Sequence, residues 1–446
     1  MTDRTDVETA VADAHRRGWA LVLAATARVA RDLDLAEECV QEAYAAALTA
    51  WVRDGIPNNP EAWLTTTAKR RAMDAIRREQ VFRSKLPLLV EPEEMVDEVA
   101  MDEQSGVESG RESGAAGSGP EGVAAAIDAG EDVVPDERLR LIFLCCHPAL
   151  AQEAQLALTL RLVCGVSTAD IARAFLVSES TMAARMTRAK KKIVATRIPY
   201  RVPGAAELPD RLRAVLGVIH LLFTTGHTAP SGAALVRTDL VDQALHLTRM
   251  LRDLMPDERE VRGLLALLLV TDARRATRVD DRGRLLRLEE QDRSRWDRAA
   301  MAEAHELIVA GLRGGRPGRY VVQAAIAALY AEAPTYEETD WPQIVTLYDE
   351  LLVVWPSPVV ALNRTVALAR VAGPERALAE VEALEAAGQL AGYQYLPAVK
   401  ADLLRQLDRR EEAAVAYRQA LELTRNDAER EFLAERIAES QAPTTS

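Results

Sequence analysis

One long acidic tract, rich in glycine and serine, limits what this chain can fold into. Residues 90–135 contain thirteen acidic residues and a single basic one, Arg111, and residues 104–122 are especially rich in Gly and Ser. Such a composition buries too little apolar surface to offset the conformational entropy that folding removes. We therefore predict a flexible acidic linker over residues 86–135, with folded parts on both sides of it.

The sequence on either side of this tract is typical of helices. Ala, Leu and Arg dominate it, and aromatic residues make up only 4% of the 446 residues. These three residue types are strong helix formers, and a chain of this length usually holds roughly two to four domains. We predict an all-α protein with a helical bundle at 1–85, the linker at 86–135, a helix-turn-helix at 136–198 and a helical domain at 199–440.

No segment of the sequence predicts a membrane span or a secretory signal. Residues 1–20 lack an apolar stretch. The most apolar run, residues 264–270, is far shorter than the about 20 residues that cross a bilayer. We expect a cytoplasmic protein that makes no contact with a membrane.

The four cysteines, Cys39, Cys145, Cys146 and Cys164, have no C-x-x-C spacing. Cys145 and Cys146 precede His147, and the three together look like a ligand cluster. Neighbouring residues on a helix point about 100° apart, however, and rarely share one metal ion. We therefore interpret the cysteines as small buried residues and expect neither a metal site nor a cofactor.

Positive charge is concentrated in two stretches, although the net charge of the whole chain is −13. Residues 69–85 hold seven basic residues against two acidic ones, and residues 178–201 hold seven against one. The distribution of charge matters more than its sum for nucleic-acid binding. Two basic surfaces joined by an acidic tether predict a protein that contacts DNA at two points.

The first module is predicted to contain two functional helices. The pattern Asp34-Leu-Ala-Glu37 predicts a helix capped by Asp34, with an apolar stripe and an acidic stripe side by side. Asn59 and Pro60 predict the N-cap and first residue of a second helix with a cationic side. Such a helix can hold a phosphate backbone or a melted strand. Both charged faces are also compatible with ordinary solvated helix surfaces.

The second module has the form of a helix-turn-helix. Ser167 or Thr168 is predicted to start its first helix, whose inward face is Ile171, Ala172 and Phe175. Ser178 is predicted to cap the second helix, with Met182 and Met186 facing the core. The exposed side of such a recognition helix reaches base edges in the major groove, and its basic residues contact phosphates. A plain helical hairpin is the alternative.

The order of these motifs resembles the extracytoplasmic-function sigma factors of bacterial RNA polymerase. Residues 34–51 (DLAEECVQEAYAAALTAW) and 59–79 (NPEAWLTTTAKRRAMDAIRRE) are similar to sigma domain 2, and residues 161–185 are similar to domain 4. The resemblance implies that the first segment docks on core polymerase, the second holds the melted −10 element and the third reads the −35 element. It implies that the acidic linker runs through the polymerase.

Matching residue by residue, the resemblance assigns a site to each surface. Polymerase binding falls to Asp34, Glu37, Glu38, Gln41 and Glu42. Binding of the −10 element falls to Lys69, Arg70, Arg71, Asp74, Arg77 and Arg78. Binding of the −35 element falls to Ser178, Ser180, Thr181, Ala184, Arg185, Arg188, Lys190, Lys191 and Lys192.

The C-terminal half resembles a long subgroup of these sigma factors with a tetratricopeptide-like (DUF6596-type) extension. Ala413, Tyr417 and Ala420 have the small–aromatic–small spacing of that repeat, and Ala367 and Ala377 precede Ala401 and Ala413 by about one repeat length. The resemblance implies that the extension modulates activity, and it adds a small YCII-like protein as a partner beside core polymerase and promoter DNA.

The charged and aromatic residues of this half also have structural interpretations. Asp272, Arg274 and Arg275 are compatible with a buried ion-pair network, and Glu289 with Arg293 are spaced to pair along one helix. Trp296 and Trp341 are interpreted as packing anchors.

Three classes of function compete for the sequence. We predict a sigma factor that is not an enzyme and that directs promoter-specific initiation. A helix-turn-helix regulator with a ligand- or peptide-sensing helical domain is the alternative, and it would not need the helix at residues 34–42. An enzyme in residues 200–438 is disfavoured because no convergent acid–base or nucleophile pattern is visible.

Overall fold

The structure, a computed structural model, describes residues 4–85, 137–175, 177–229, 235–281 and 283–441. Over these ranges it contains helices and no β-strand, apart from one isolated antiparallel bridge between Val279 and Leu285. The all-α prediction is confirmed. The predicted linker at 86–135 lies outside the described residues.

The chain divides into two compact units, Met1–Arg140 and Leu141–Ser446. The first contains three long helices, α1 (Arg4–Ala30), α2 (Leu33–Asp54) and α3 (Pro60–Lys85), which all pack against one another. The four predicted parts divide the chain more finely than these two units, and their boundaries stay predictions.

Local capping explains where α2 and α3 begin. The N-cap of α2 is Asp32, whose side chain accepts a hydrogen bond from the backbone N–H of Leu35 at 2.8 Å. The prediction that Asp34 caps this helix is therefore wrong, because Asp34 already lies in its first turn. The start of α3 is confirmed, since Asn59 Oδ1 accepts from the backbone N–H of Ala62 at 3.0 Å.

The second unit begins with the predicted helix-turn-helix module. Helix α4 (Glu137–Cys145) leads into it, followed by α5 (Gln152–Leu158) and a π-helical turn at Thr159–Val163. The pair α6 (Thr168–Ala174) and α7 (Glu179–Ala195) then forms the helix-turn-helix itself. Helix α5 packs on α7 and supports it from the side opposite its exposed residues.

Eleven further helices make up the described extension, and neighbours in sequence pack side by side. Their bounds are α8 Leu208–His227, α9 Thr238–Leu254, α10 Arg259–Asp272, α11 Arg298–Leu312, α12 Arg319–Glu332, α13 Trp341–Val354, α14 Pro358–Ala372, α15 Pro374–Ala386, α16 Tyr395–Gln406, α17 Arg410–Leu423 and α18 Asp427–Gln441. Three short 3₁₀ turns connect α10 to α11, at Arg275–Thr277, Leu288–Glu290 and Arg293–Arg295.

Small residues allow the helices of the extension to approach closely. A Cβ atom added to Gly263 of α10 would lie 2.5 Å from the backbone nitrogen of Val321 in α12, so this crossing requires glycine. The alanines predicted to pack between paired helices are fully buried at Ala367, Ala377, Ala401, Ala413 and Ala420. The assignment of these pairs to the tetratricopeptide class stays a prediction.

Candidate polymerase and DNA interfaces

The predicted polymerase-binding residues lie on one side of α2. Its apolar stripe is buried as predicted, at Ala36, Val40, Ala43 and Ala47. Four of the five polar residues are exposed: Asp34, Glu38, Gln41 and Glu42. We call these four the acidic face. Glu37 does not belong to it, because its side chain is buried and accepts a hydrogen bond from Gln41 Nε2 at 3.3 Å.

The predicted −10 residues of α3 divide between solvent and the interface with α2. The exposed ones are Arg70, Asp74, Arg77 and Arg78, and the half-buried ones are Lys69 and Arg71. Arg71 donates to the Glu42 carboxylate, which joins the acidic face of α2 to the cationic side of α3. Part of the Arg71 charge is therefore already neutralised within the fold.

Two serines begin the helices of the helix-turn-helix, as predicted. Ser167 Oγ accepts the backbone N–H of Asp170 at 3.1 Å and donates to the Asp170 carboxylate at 2.6 Å. Ser178 Oγ accepts the backbone N–H of Thr181 at 3.2 Å. These caps supply partners for N–H groups that the first turn of a helix leaves free.

Packing then decides which side of α7 faces outward. Met182 and Met186 are buried, as are Ile171 and Ala172 of α6, while Phe175 is half-buried. The predicted −35 residues that remain exposed are Ser178, Ser180, Thr181, Ala184, Arg188, Lys191 and Lys192.

Two predicted −35 residues are less available than the others. Arg185 and Lys190 are half-buried. Arg185 Nη1 lies 2.9 Å from the Glu153 carboxylate of α5, so this guanidinium holds α7 against the helix behind it. The basic residues of α7 that remain exposed are therefore Arg188, Lys191 and Lys192.

Cys145 and Cys146, which precede the helix-turn-helix, are buried like apolar residues. Cys145 and Cys146 are almost completely inaccessible, and Cys146 Sγ lies 3.4 Å from Thr159 Oγ1. Burial raises the pKa of the Cys146 thiol to about 12. Within the described ranges, no group of three or more His, Cys, Asp or Glu residues is arranged to hold a metal ion.

Comparison with protein families matches three parts of the chain in order. The Sigma-70 region 2 model matches residues 16–81, and the Sigma-70 region 4 model matches residues 140–193. A family of unknown function, DUF6596, matches residues 211–311. The chain belongs to the extracytoplasmic-function type of sigma factors. It carries the C-terminal extension of that family of unknown function.

A relative shares the whole arrangement of this sigma factor. An uncharacterised protein of Rhizobium meliloti (strain 1021) is 41% identical over 433 residues, which is 97% of this chain and 95% of that protein. No solved structure matches the sigma factor. A match over 97% of the chain includes most of residues 86–135 and the extension as well as the two sigma regions.

The sigma factor binds core RNA polymerase and promoter DNA and directs promoter-specific transcription initiation. The region 2 match contains α2 and most of α3, and the region 4 match contains the helix-turn-helix. A regulator that acts without replacing another sigma factor has no need of region 2, which weighs against that alternative. Among the described helices, none is long and apolar enough to cross a membrane.

The structure corrects the ion pairs predicted for the extension. Arg275 binds the carboxylates of Asp272 at 2.7 Å and Asp242 at 2.9 Å, and Arg274 takes no part in that network. Glu289 and Arg293 do not pair with each other, because they lie in two separate 3₁₀ turns and not on one helix.

Glu289 and Arg293 each have other partners. Glu289 is 2.6 Å from Arg287, while Arg293 donates to the carbonyl oxygens of Tyr330 and Ala333. The sequence carries no signal for the contacts of Arg293, which join segments far apart along the chain. The interpretation of Trp296 and Trp341 as packing anchors is confirmed, since both are buried.

Proposed function

We propose that the acidic face of α2 binds core RNA polymerase, that α3 holds the −10 element and that α7 reads the −35 element. The observation that carries the polymerase assignment is the exposure of this face above a buried apolar stripe. Glu38 lies at its centre, and among the described residues it has neither a hydrogen bond nor an ion pair. Its charge is thus free to meet a basic surface on the polymerase.

The basic side chains of α3 and α7 support the DNA assignments. Arg70, Arg77 and Arg78 are exposed on one helix, and Arg188 and Lys191 on the other. Phosphate contacts supply affinity, whereas base-edge contacts supply sequence preference. On α7 the base contacts would come from the small polar residues that follow the Ser178 cap.

The extension is proposed to modulate this activity from within the same chain, as a regulatory and not an enzymatic domain. Helix α8 packs on α5, and Arg211 of α8 donates to the carbonyl oxygen of Phe143 in α4 at 2.6 Å. A change in the extension can therefore reach the recognition helix through α5. The resemblance to the long subgroup also supports a cytoplasmic location and a small YCII-like partner, which co-purification would test.

Charge reversal on the acidic face tests the polymerase assignment. We expect Glu38→Lys to weaken binding to core polymerase at least tenfold, because it places a positive charge against a basic surface. The control is Glu8→Lys on α1, an exposed position with the same charge change, which should leave the affinity unchanged. Affinity would be measured by fluorescence anisotropy of the labelled full-length protein. Equal affinities for the two variants would contradict the assignment.

A further inference from the structure

The connection between α10 and α11 places two arginines beside one buried tryptophan and holds a third arginine close to them in sequence. Trp296 is 3% exposed and its Nε1 donates to Thr277 Oγ1 at 2.8 Å, so the indole ring is fixed. The guanidinium carbons of Arg274 and Arg293 lie 5.9 Å and 4.8 Å from the centre of that ring. Arg274 and Arg278 flank the 3₁₀ turn Arg275–Thr277, and we call Arg274, Arg278 and Arg293 the arginine cluster.

None of the three guanidinium groups is neutralised by an ion pair with a carboxylate among the described residues. The guanidinium of Arg274 has no hydrogen bond and no ion pair there, although its backbone carbonyl accepts from Thr277. Arg293 Nη1 donates to the carbonyl oxygens of Tyr330 and Ala333, but its Nη2 is buried without a partner. Arg278 donates to the carbonyl oxygen of His227 and to Thr228 Oγ1, which are also neutral groups.

The carboxylates nearest to the cluster are engaged or exposed. Asp272 is held by Arg275, and Glu429 accepts hydrogen bonds from Tyr395 at 2.7 Å and from Gln394. Glu337 is exposed to solvent. His227 adds no charge, because its burial and the neighbouring arginines lower its pKa to about 3.

The cluster is therefore a concentration of desolvated positive charge. Burial and then the charge of Arg293 lower the pKa of Arg274, and burial and then the charge of Arg274 lower the pKa of Arg278 to about 10. Such an arrangement lowers the stability of the folded protein, since a buried charge without a counter-ion is strongly unfavourable. Sites that bind ligands are where proteins retain groups of this kind.

We propose that the arginine cluster binds a small ligand through a carboxylate or phosphate group, with Arg274 as its main contact. A guanidinium presents paired N–H donors that match both kinds of oxyanion. Arg274 is half-buried, so part of this residue is open to solvent. This assignment goes beyond promoter recognition, because it gives the extension a ligand-binding site. It does not depend on whether the extension affects transcription.

The rival explanation is that Arg274 only packs against Trp296. The two explanations make opposite predictions for Arg274→Met, which keeps the length of the side chain and removes its charge. Loss of a packing residue lowers the melting temperature. Loss of an uncompensated charge leaves the melting temperature of the ligand-free protein unchanged or raises it.

The experiment is thermal unfolding of the full-length protein in sodium succinate, in sodium phosphate and in sodium chloride at equal ionic strength. We expect succinate or phosphate to raise the melting temperature by a few degrees above the chloride value, in a concentration-dependent way. The salt that acts identifies carboxylate or phosphate as the preferred group. The effect should vanish in Arg274→Met and persist in Arg295→Gln, an exposed arginine of the same connection.

Two results would overturn the proposal. One is the absence of any difference between both oxyanions and chloride in the wild-type protein. The other is a lower melting temperature for ligand-free Arg274→Met than for wild type, together with an unchanged response to the oxyanions. Neither result bears on core polymerase binding, so this test is independent of the proposed sigma surfaces.

Discussion

At the scale of single residues, a buried histidine predicts how the stability of the second unit depends on pH. His220 packs against the ring of Tyr320 at 5.5 Å, and its burial and then the charge of Arg319 lower its pKa to about 4. An unfolded histidine titrates near pH 6.5. Its contribution to stability is therefore fully present above about pH 6.5 and is lost as the pH falls toward 4.

The substitution His220→Gln should flatten this loss. We expect the melting temperature of the variant to fall less between pH 6.5 and pH 4 than that of the wild type. The control is Arg295→Gln, a substitution at an exposed position that removes no buried imidazole. An identical pH profile for His220→Gln and wild type would show that His220 does not contribute in this way.

A glycine at a helix crossing gives a second prediction at this scale. Gly263→Ala places a Cβ atom 2.5 Å from the backbone of α12, and overpacking of this kind costs about 1–3 kcal/mol. We expect a clear drop in the melting temperature. Gly217→Ala is the control, because its Cβ would meet only the end of the Arg319 side chain at 3.8 Å. Comparable melting temperatures for both variants would show that the α10–α12 crossing tolerates a side chain.

Single residues also show where the sequence was ambiguous. Asp32 and Asp34 both precede a helical run and both can cap a helix, and the structure shows that Asp32 is the cap. Helical spacing places Glu37 at the border between the apolar and acidic stripes, so its burial could not be foreseen. The pairing of Arg71 with Glu42 joins residues far apart in sequence and leaves no local pattern.

At the scale of helices, the sequence predicted the first residues of a helix correctly where a single side chain caps it. Asn59, Ser167 and Ser178 were all predicted as starts from sequence, and each makes a hydrogen bond to the first turn. The connection from α10 to α11 was not predicted, because its 3₁₀ turns are held by distant partners such as the carbonyl of Tyr330.

The contact of α8 with the helix-turn-helix module gives a prediction for that element. Arg211→Met leaves the carbonyl oxygen of Phe143 without its donor, and an unpaired buried carbonyl costs about 1–3 kcal/mol. We expect a changed affinity for promoter DNA together with unchanged binding to core polymerase. The control is Arg213→Met, two residues along the same helix, which removes only an exposed pair with Asp210. Equal DNA affinities for the two variants would argue against coupling through α8.

At the scale of the whole molecule, the sequence predicted more than at the smaller scales. The basic stretches, the acidic tract and the order of the motifs indicated a sigma factor, and the matches to regions 2 and 4 confirm it. Each of these patterns extends over tens of residues. A wrong prediction for one residue therefore does not change the predicted class of protein. The arginine cluster was missed because its members are brought together only by the folding of the extension.

Run-off transcription from the DNA upstream of the gene tests the central claim most directly. Core polymerase with the full-length protein should produce a transcript of defined length, and core polymerase alone should produce none. Glu38→Lys should abolish that transcript and Glu8→Lys should retain it. The account would be contradicted if the wild-type protein bound this DNA but produced no transcript. That result would indicate a helix-turn-helix regulator that is not an initiation subunit.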